Sequence, residues 1–201
     1  MKMNCNLVCK VVCIINMLAF VSVTKAQVVS GTNVIDCSNM PSSMVEQNIG
    51  PYKYATGQLQ RHLGNKGISG GPSLNDKVSK KFEVASANLV GVYDWASAMG
   101  FDSGVNTNQN SNPASFLDTG CKTLGDGWRL PNQKEMLIIL ILRNKLAYTL
   151  TNNEYWTSTE YFNDKIAGNA DYSRAFYVSF GYSADNNKSV KLSIRCIKDL
   201  P

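Results

Sequence analysis

The sequence predicts an α+β fold, in which two helices pack against antiparallel strands. A short alternating strand is followed by a helical pattern, a long polar loop and a strongly apolar second helix. The last third of the chain is rich in aromatic and alternating residues that are typical of strands. Helices and strands that are segregated along the chain in this way are typical of α+β proteins.

The N-terminus has the three-part pattern of a secretory signal peptide. Met1–Lys10 is short and basic, Val11–Val23 is almost wholly apolar, and small residues at 24 and 26 precede Gln27. The apolar run is too short to span a bilayer comfortably. We therefore predict cleavage after Ala26, export to the periplasm, cell surface or exterior, and no membrane span in the mature chain. A retained membrane anchor is the alternative.

Cleavage at this point changes both the charge and the cysteine count. It leaves 175 of the 201 residues and removes three lysines, so the net charge falls from +5 to +2. Such a weak basic excess does not predict a nucleic-acid partner, which requires a large and clustered positive surface. The cysteines that remain, Cys37, Cys121 and Cys196, predict one disulfide and one leftover thiol in an oxidising compartment.

The same composition argues against two classes of catalytic or metal site. The chain has no CxxC motif, and its single histidine is His62. A structural zinc site cannot be assembled from these residues. A nucleophile activated by histidine would have to use His62, which lies in a polar, glycine-rich stretch. No zinc, no other cofactor and no enzyme activity are predicted from these residues.

The first part of the mature chain, residues 27–81, is predicted to be a partly irregular N-terminal arm. It is rich in Ser, Asn, Gly and Lys, although "VVSGTNVIDC" could form an opening strand. Regular order is expected from Phe82, where "KFEVAS" alternates like a short strand. A helix is predicted over Leu89–Met99, with Val92, Trp95 and Met99 on one buried face.

The second helix is predicted from its start signals and its apolar run. Pro131 forces the preceding residue into an extended conformation, and Asn132 stands three residues before Glu135 as in a capping box. The segment 136–142, "MLIILIL", is apolar on every side, so we expect the helix to be buried on most sides. The preceding loop, Phe101–Gly120, is polar; its alternating oxygen ligands leave calcium binding open, but no glutamate closes a calcium-binding frame.

The remaining segments are predicted to be strands. They are Glu154–Phe162, Arg174–Phe180 and Val190–Cys196, with 181–188 as the hairpin loop between the last two. In the final strand the alternation places Cys196 inward and Arg195 outward.

Four motifs in order carry a resemblance to a known family. "GWRLPNQKE", "YWTSTE", "AFYVSF" and "IRCIK" are similar to the domain family at the C-terminus of a collagen-like bacterial adhesin, and "YDWASAM" fits the first helix of that family. They also resemble the C-terminal domains of fimbrial tip-type surface proteins of gut anaerobes. The resemblance covers 82–199 and implies a C-type-lectin-like domain over 82–201, a fold shared with formylglycine-generating enzymes. In that fold two helices pack on a twisted, loop-rich antiparallel sheet.

Several structural roles follow within this framework. Cys121 precedes the Trp-Arg-Leu-Pro block and Cys196 faces inward, so these two cysteines are expected to form the disulfide. Trp128 is expected to pack beside Trp156, and Arg129 to pair with a carboxylate or cap carbonyls near the final strand. We interpret the motif residues as structural rather than catalytic; they are Trp95, Trp128, Arg129, Pro131, Glu135, Trp156 and Arg195.

For function, the resemblance implies adhesion through binding of a surface glycan or a partner subunit. The alternative is a secreted enzyme of the formylglycine-generating type or a carboxylate-based hydrolase using Glu154 and Glu160. The chain departs from both relatives, since it lacks the calcium-and-sugar triplets of lectins and the cysteine pair of those enzymes. The loop 160–174 is the predicted ligand site because its aromatic, amide and charged groups suit glycans; its candidate residues are Tyr161, Asn163, Asp164, Asp171 and Arg174.

Overall fold

The computed structural model of the chain describes residues 25–46, 54–55, 58–59, 77–103, 117–160 and 174–201. Within these ranges, helices and antiparallel sheets combine as the α+β prediction requires. The α-helices are α1 (Trp95–Met99) and α2 (Gln133–Leu142). Two 3-10 helices cover Gly120–Leu124 and Arg143–Lys145.

The strands form sheets of five, three, two and two strands in the described part of the chain. In chain order they are β1 (Gln27–Val28), β2 (Val34–Asp36), β3 (Val45–Glu46), β4 (Tyr54–Ala55), β5 (Gln58–Leu59), β6 (Val78–Ser79), β7 (Lys81–Val84), β8 (Trp128–Arg129), β9 (Tyr155–Glu160), β10 (Arg174–Ser179), β11 (Tyr182–Asn187) and β12 (Ile197–Asp199).

The five-stranded sheet joins strands from the first and the last described segments of the chain. Its order is β1-β2-β7-β12-β8, and every neighbouring pair is antiparallel. The opening strand expected in 27–81 is therefore a β1–β2 hairpin that pairs with β7. The boundary placed at Phe82 falls inside β7, and Ile35 of β2 shares a core cluster with Phe82.

Each face of this sheet has its own role. On the inner face Val84, Ile197 and Arg129 are cross-strand neighbours, and all three are buried. Helix α2 covers this face with Met136, Ile139 and Leu140, which belong to the same cluster as Val84 and Ile197. Burying each large apolar side chain contributes about 1.5–3 kcal/mol. The outer face carries the partly exposed row Val34, Glu83, Lys198 and Trp128.

Helix α1 is shorter than predicted. It begins after Asp94, whose side chain accepts a hydrogen bond from the Ser97 backbone N at 2.9 Å, and ends at Gly100 with φ 75°. Val92, predicted on its buried face, precedes the cap and is 55% exposed. The reason is tertiary: the backbone N–H groups of Leu89 and Tyr93 donate to carbonyls of the C-terminal segment, at 3.3 and 2.9 Å, instead of to a helix.

Helix α2 has the predicted capping box but not the predicted burial on most sides. The Asn132 side chain accepts from the Glu135 N–H, and the Glu135 side chain accepts from the Asn132 N–H. Leu137 and Ile141 are exposed, Ile141 to 74%. The helix packs on the sheets with one side, so its other side faces outward in spite of its apolar sequence.

The C-terminal third differs from the prediction in two places. The segment expected to be a hairpin loop contains β11, which pairs with β10 through a turn at Phe180–Gly181. Gly181 adopts φ 108°, which favours glycine. The strand expected over 190–196 makes only single bridges at Leu192 and Ser193, and the regular strand β12 begins at Ile197.

The predicted disulfide is confirmed. Cys121 and Cys196 are bonded, with their Cα atoms 5.5 Å apart, inside the cluster that also contains Trp95 and Trp156. Cys37 carries a free thiol and is buried, which places it out of reach of another chain in this structure. Among the described residues, no helix is both long and apolar enough to cross a membrane.

Candidate functional site

The ligand site predicted from the sequence falls largely outside the described residues. Tyr161, Asn163, Asp164 and Asp171 lie in that segment. Arg174 is the described member; it begins β10 and forms an ion pair through Nε with the Asp185 carboxylate on β11. Its NH2 group also donates to the Asp185 carbonyl at 3.2 Å. The structure therefore shows Arg174 joining two strands.

The Trp-Arg-Leu-Pro motif has a structural role in the core, through an ion network around Arg129. Arg129 is 5% exposed and binds Glu135 through NH1 and NH2, at 2.8 and 2.7 Å. It also binds Asp199 of the last strand through Nε and NH2, at 3.1 and 2.6 Å. Burial alone would lower the pKa of Arg129, but the charges and hydrogen bonds of these two carboxylates outweigh burial and raise it. The expected pairing near the final strand is confirmed.

Glu135 is the central acceptor of this ion network. Its carboxylate receives the Arg129 guanidinium, the backbone N–H of Asn132 and the backbone N–H of Ser79 at 3.0 Å. It is 0% exposed, so the same side chain caps α2 and holds β6 and β8. A carboxylate engaged in this way is not available to a substrate.

The tryptophans of the motifs also have structural contacts. The indole N–H of Trp95 donates to the Thr157 carbonyl at 2.8 Å, and that of Trp156 donates to the Tyr93 carbonyl at 2.9 Å. Trp128 packs against the cluster that contains Trp156, but the described aromatic ring beside Trp156 is Tyr177, at 6.4 Å between centroids. Both indole donors are thus used within the fold.

Arg195 corrects the predicted alternation of the final segment. It was expected to point outward, but it is 2% exposed. Its NH1 donates to Asn88 Oδ1 at 3.1 Å and its NH2 to the Ser86 carbonyl at 3.3 Å, while Nε is buried without a partner. Burial lowers the pKa of Arg195, opposed by the nearby Tyr155.

The carboxylates considered for hydrolysis and the residues considered for metal binding have the following geometry. Glu154 accepts a hydrogen bond from the Tyr182 hydroxyl at 2.8 Å, and this bond is the first cause of the rise in the pKa of Tyr182 to about 12. The side chain of Glu160 lies outside the described residues. No cluster of three or more His, Cys, Asp or Glu that could hold a metal is found where the structure describes the chain. Most of the loop considered for calcium, 104–116, is outside the described ranges.

A pocket on the outer side of the five-stranded sheet is the candidate site. Its volume is about 490 Å³, and the residues that matter here are Thr32, Asn33, Glu83, Leu124, Trp128 and Tyr148. The β1–β2 turn forms one wall, and the segment after α2 lies against that turn because the Ala147 N–H donates to the Thr32 carbonyl at 3.3 Å. Small-molecule pockets typically occupy about 300–1,000 Å³, so this volume suits a ligand of that class.

Asn33 gives the pocket an unused polar group. The residue is 8% exposed, and its Oδ1 is buried without a hydrogen-bond partner among the described residues. Its backbone is held, since the Asn33 carbonyl accepts from the Val84 N–H at 2.9 Å. A buried polar atom without a partner costs about 1–3 kcal/mol, and an ordered water is one way in which such an atom is satisfied.

The other polar and aromatic groups surround this amide. Glu83 extends from the outer face of β7, and its carboxylate makes no ion pair among the described residues. Trp128 stands on the same face two strands away, across β12. Tyr148 also lines the pocket and is 54% exposed. The pocket lining therefore includes Asn33, the acidic residue Glu83 and two aromatic residues.

Sequence reasoning singled out Trp128 for its structural role and missed the rest of this site. Asn33 lies in a Gly-Thr-Asn turn, where a polar residue is normally exposed. The neighbouring sequence does not predict that Asn33 is buried. Tyr148 reads as an ordinary loop residue. The pocket forms because a turn, a strand and a distant loop converge, so no single motif encodes it.

Comparison with known proteins does not assign the chain to a family. No protein-family model matches the sequence, and no curated protein matches it either.

Proposed function

We propose that the chain is an exported surface binding module, serving adhesion or a fimbria-associated assembly, with a glycan or a partner protein as its ligand. Its mature part would be a C-type-lectin-like domain of the adhesin-related kind that the sequence motifs resemble. The observation that carries the proposal is the open pocket lined by Trp128, Tyr148, Asn33 and Glu83.

Two further observations support parts of this proposal. The buried disulfide between Cys121 and Cys196 supports export, because disulfides persist in oxidising compartments. The combination of two described helices with short antiparallel strands supports the lectin-like expectation at the level of fold class. Fold class alone does not specify a ligand, so the pocket remains the basis for the binding role.

The test is a glycan-array screen of the mature chain, residues 27–201, with and without calcium. Tyr148→Ala should abolish binding because it removes one aromatic wall of the pocket. Tyr182→Ala is the matched control, since Tyr182 is 50% exposed against 54% for Tyr148 and lies outside the pocket lining described above. Absence of binding to any glycan or to surface proteins of the native host would contradict the proposal.

A second variant separates the pocket from the loop predicted from the sequence. Tyr161, Asp164 and Arg174 are changed to alanine together, and binding and thermal stability are both measured. If this variant loses binding while Tyr148→Ala retains it, the ligand site belongs to the loop. Turnover of a peptide, sulfated or glycosidic substrate that is lost in Glu154→Gln or Glu160→Gln would replace the binding role with an enzymatic one.

A further inference from the structure

We propose that the outward side of α2 docks on a lipid bilayer that carries anionic headgroups. This surface, called the α2 face below, consists of Lys134, Leu137, Ile138, Ile141 and Lys145. The inference goes beyond the proposed function and does not depend on it, because α2 covers the inner face of the five-stranded sheet and the pocket lies on the outer side.

The middle of the α2 face is apolar, where a surface helix is normally polar. Leu137 is 37% exposed and Ile141 is 74% exposed. These two residues are four apart, so they lie on the same side of the helix, and the partly exposed Ile138 is three residues before Ile141 on that side. A helix of a globular protein usually carries polar or charged residues there. A contiguous exposed apolar stripe of this kind is typical of a site that contacts a protein or a membrane.

Cations flank this apolar stripe at both ends. Lys134 is exposed three residues before Leu137, and Lys145 is exposed four residues after Ile141, in the 3-10 helix that continues α2. The acidic residue of α2 is Glu135, which is 0% exposed and held in the ion network described above, so it does not offset these charges at the surface. An apolar stripe with a lysine at each end is complementary to a bilayer, in which a hydrocarbon boundary lies beneath anionic headgroups.

The same charges disfavour a second copy of the chain as the occupant of the α2 face. A two-fold symmetric contact between antiparallel α2 helices would place Leu137 of one copy opposite Ile141 of the other. It would also bring Lys134 of one copy near Lys145 of the other. These like charges would repel each other, so the apolar stripe is not matched to itself.

The size of the α2 face disfavours a protein partner. Helix α2 has 10 residues, so it is about 15 Å long and about 10 Å wide, whereas a standard protein interface buries about 800 Å² on each side. A bilayer requires neither this area nor a matching pocket. Apolar side chains of an interfacial helix enter about 5–10 Å into the headgroup boundary, and nearby lysines add attraction to anionic lipid.

The experiment is co-sedimentation of residues 27–201 with vesicles of two compositions: phosphatidylcholine alone, and phosphatidylcholine mixed with phosphatidylglycerol. Residues 1–26 are left out because their apolar segment, Val11–Val23, would bind lipid by itself. We expect stronger binding to the anionic vesicles than to the neutral ones. The difference should disappear at about 1 M salt, where the Debye length is about 3 Å.

Ile141→Gln tests the apolar part of the α2 face. It should weaken binding to anionic vesicles about tenfold, because an inserted apolar side chain is lost. The urea midpoint of unfolding should stay unchanged, since Ile141 is 74% exposed and glutamine is a good helix former. Val90→Gln is the matched control, because Val90 is 94% exposed, lies before α1 and should not contact the bilayer.

Lys145→Gln tests the charged part of the α2 face. It should weaken binding to anionic vesicles about fivefold and leave binding to neutral vesicles unchanged. Lys191→Gln removes an exposed lysine elsewhere in the chain, so it makes the same change in net charge and should retain the affinity of the parent. This pair of variants decides the question if Ile141→Gln fails to fold.

The outcomes distinguish this inference from the proposed function. Absence of binding to both vesicles, or equal binding to both, overturns the inference. Binding that folded Ile141→Gln and Lys145→Gln retain overturns it too, because the bilayer contact is then elsewhere. Self-association without vesicles that is lost in Ile141→Gln would assign the α2 face to a second copy instead. The pocket is separate, so Tyr148→Ala should leave vesicle binding unchanged and Ile141→Gln should leave glycan binding unchanged.

Discussion

Two buried arginines hold the C-terminal half of the chain in different ways. Arg129 lies between Glu135 and Asp199, so its charge is compensated by two carboxylates within hydrogen-bond distance. Arg195 is buried to a similar degree, but its partners in the described part of the chain are an amide oxygen and a backbone carbonyl, and its Nε has none there. The cation at Arg129 is part of an ion network, whereas the cation at Arg195 is solvated by neutral dipoles.

The surroundings compensate for this difference. Residues near Arg129 are held by the ion network and the capping box of α2, which are non-covalent. Arg195 is followed directly by Cys196, whose disulfide to Cys121 fixes the backbone at that point. The contribution of a buried arginine to the free energy of unfolding therefore depends on its partners, and the surrounding sequence motif does not reveal it.

The largest effect is expected from Arg129→Met. The substitution leaves Glu135 and Asp199 buried near each other without a cation, and breaking a buried charge pair in this way costs about 3–5 kcal/mol. Urea unfolding measures the loss. Lys191→Met, at an exposed lysine of the same segment as Arg195, is the control and should change stability by less than about 0.5 kcal/mol. A loss below about 1 kcal/mol in Arg129→Met would show that the two carboxylates do not depend on this cation.

Removing the disulfide tests the covalent support next to Arg195. The bonded cysteines are 75 residues apart, so the double variant Cys121→Ala, Cys196→Ala should lose roughly 4 kcal/mol in the chain-entropy account. Urea unfolding without reductant gives this value. Reductant should destabilise the parent but leave the double variant unaffected; if the parent also resists a reductant that breaks the bond, the disulfide does not support this region.

Arg195→Met is expected to have a much smaller effect than Arg129→Met. It removes two hydrogen bonds, each worth about 0.5–1.5 kcal/mol, but it also removes the cost of burying a cation that no carboxylate compensates. The net change in the free energy of unfolding should be about 1 kcal/mol or less. A loss equal to that of Arg129→Met would show that the dipoles around Arg195 stabilise a cation as well as two carboxylates do.

The last prediction concerns pH and a residue on the Arg129 side of the molecule. Cys37 shares the core cluster of α2, and burial, followed by the charges of Glu135 and Asp36, raises its pKa from 9.0 to about 12. The unfolded thiol loses its proton near 9.0, while the folded thiol keeps it, so the free energy of unfolding should fall as pH rises between these values. Stability from this source is fully present below pH 9.

Urea unfolding of the parent and of Cys37→Ala between pH 8 and 11 checks this expectation. The variant should start less stable, and the difference between the two proteins should shrink as pH rises. The native thiol should also resist alkylation at pH 8, because it is buried. A constant difference across the range would mean that Cys37 does not titrate with unfolding.

The elements that the sequence alone determined are those whose signals are local. Asn132 and Glu135 predict the capping box because both hydrogen bonds join residues three apart in the chain. The alternation around Phe82 predicts β7, and the motif around Trp95 predicts a buried aromatic residue on a helix. The disulfide was also predicted, from the Trp-Arg-Leu-Pro block after Cys121 and the inward side assigned to Cys196, although the same alternation misplaced Arg195.

Only the tertiary structure decided the features that depend on distant partners. Strand β11 is a polar segment that becomes a strand because β10 supplies its hydrogen bonds, and Arg195 is buried because Asn88 and Ser86 meet it from a remote segment. The pocket at Asn33 arises in the same way, from a turn, a strand and a loop that are far apart in the chain. Burial and hydrogen bonding depend on which groups lie nearby in space. Alternation along the chain assigns the two faces of a strand, but it does not show whether that strand forms.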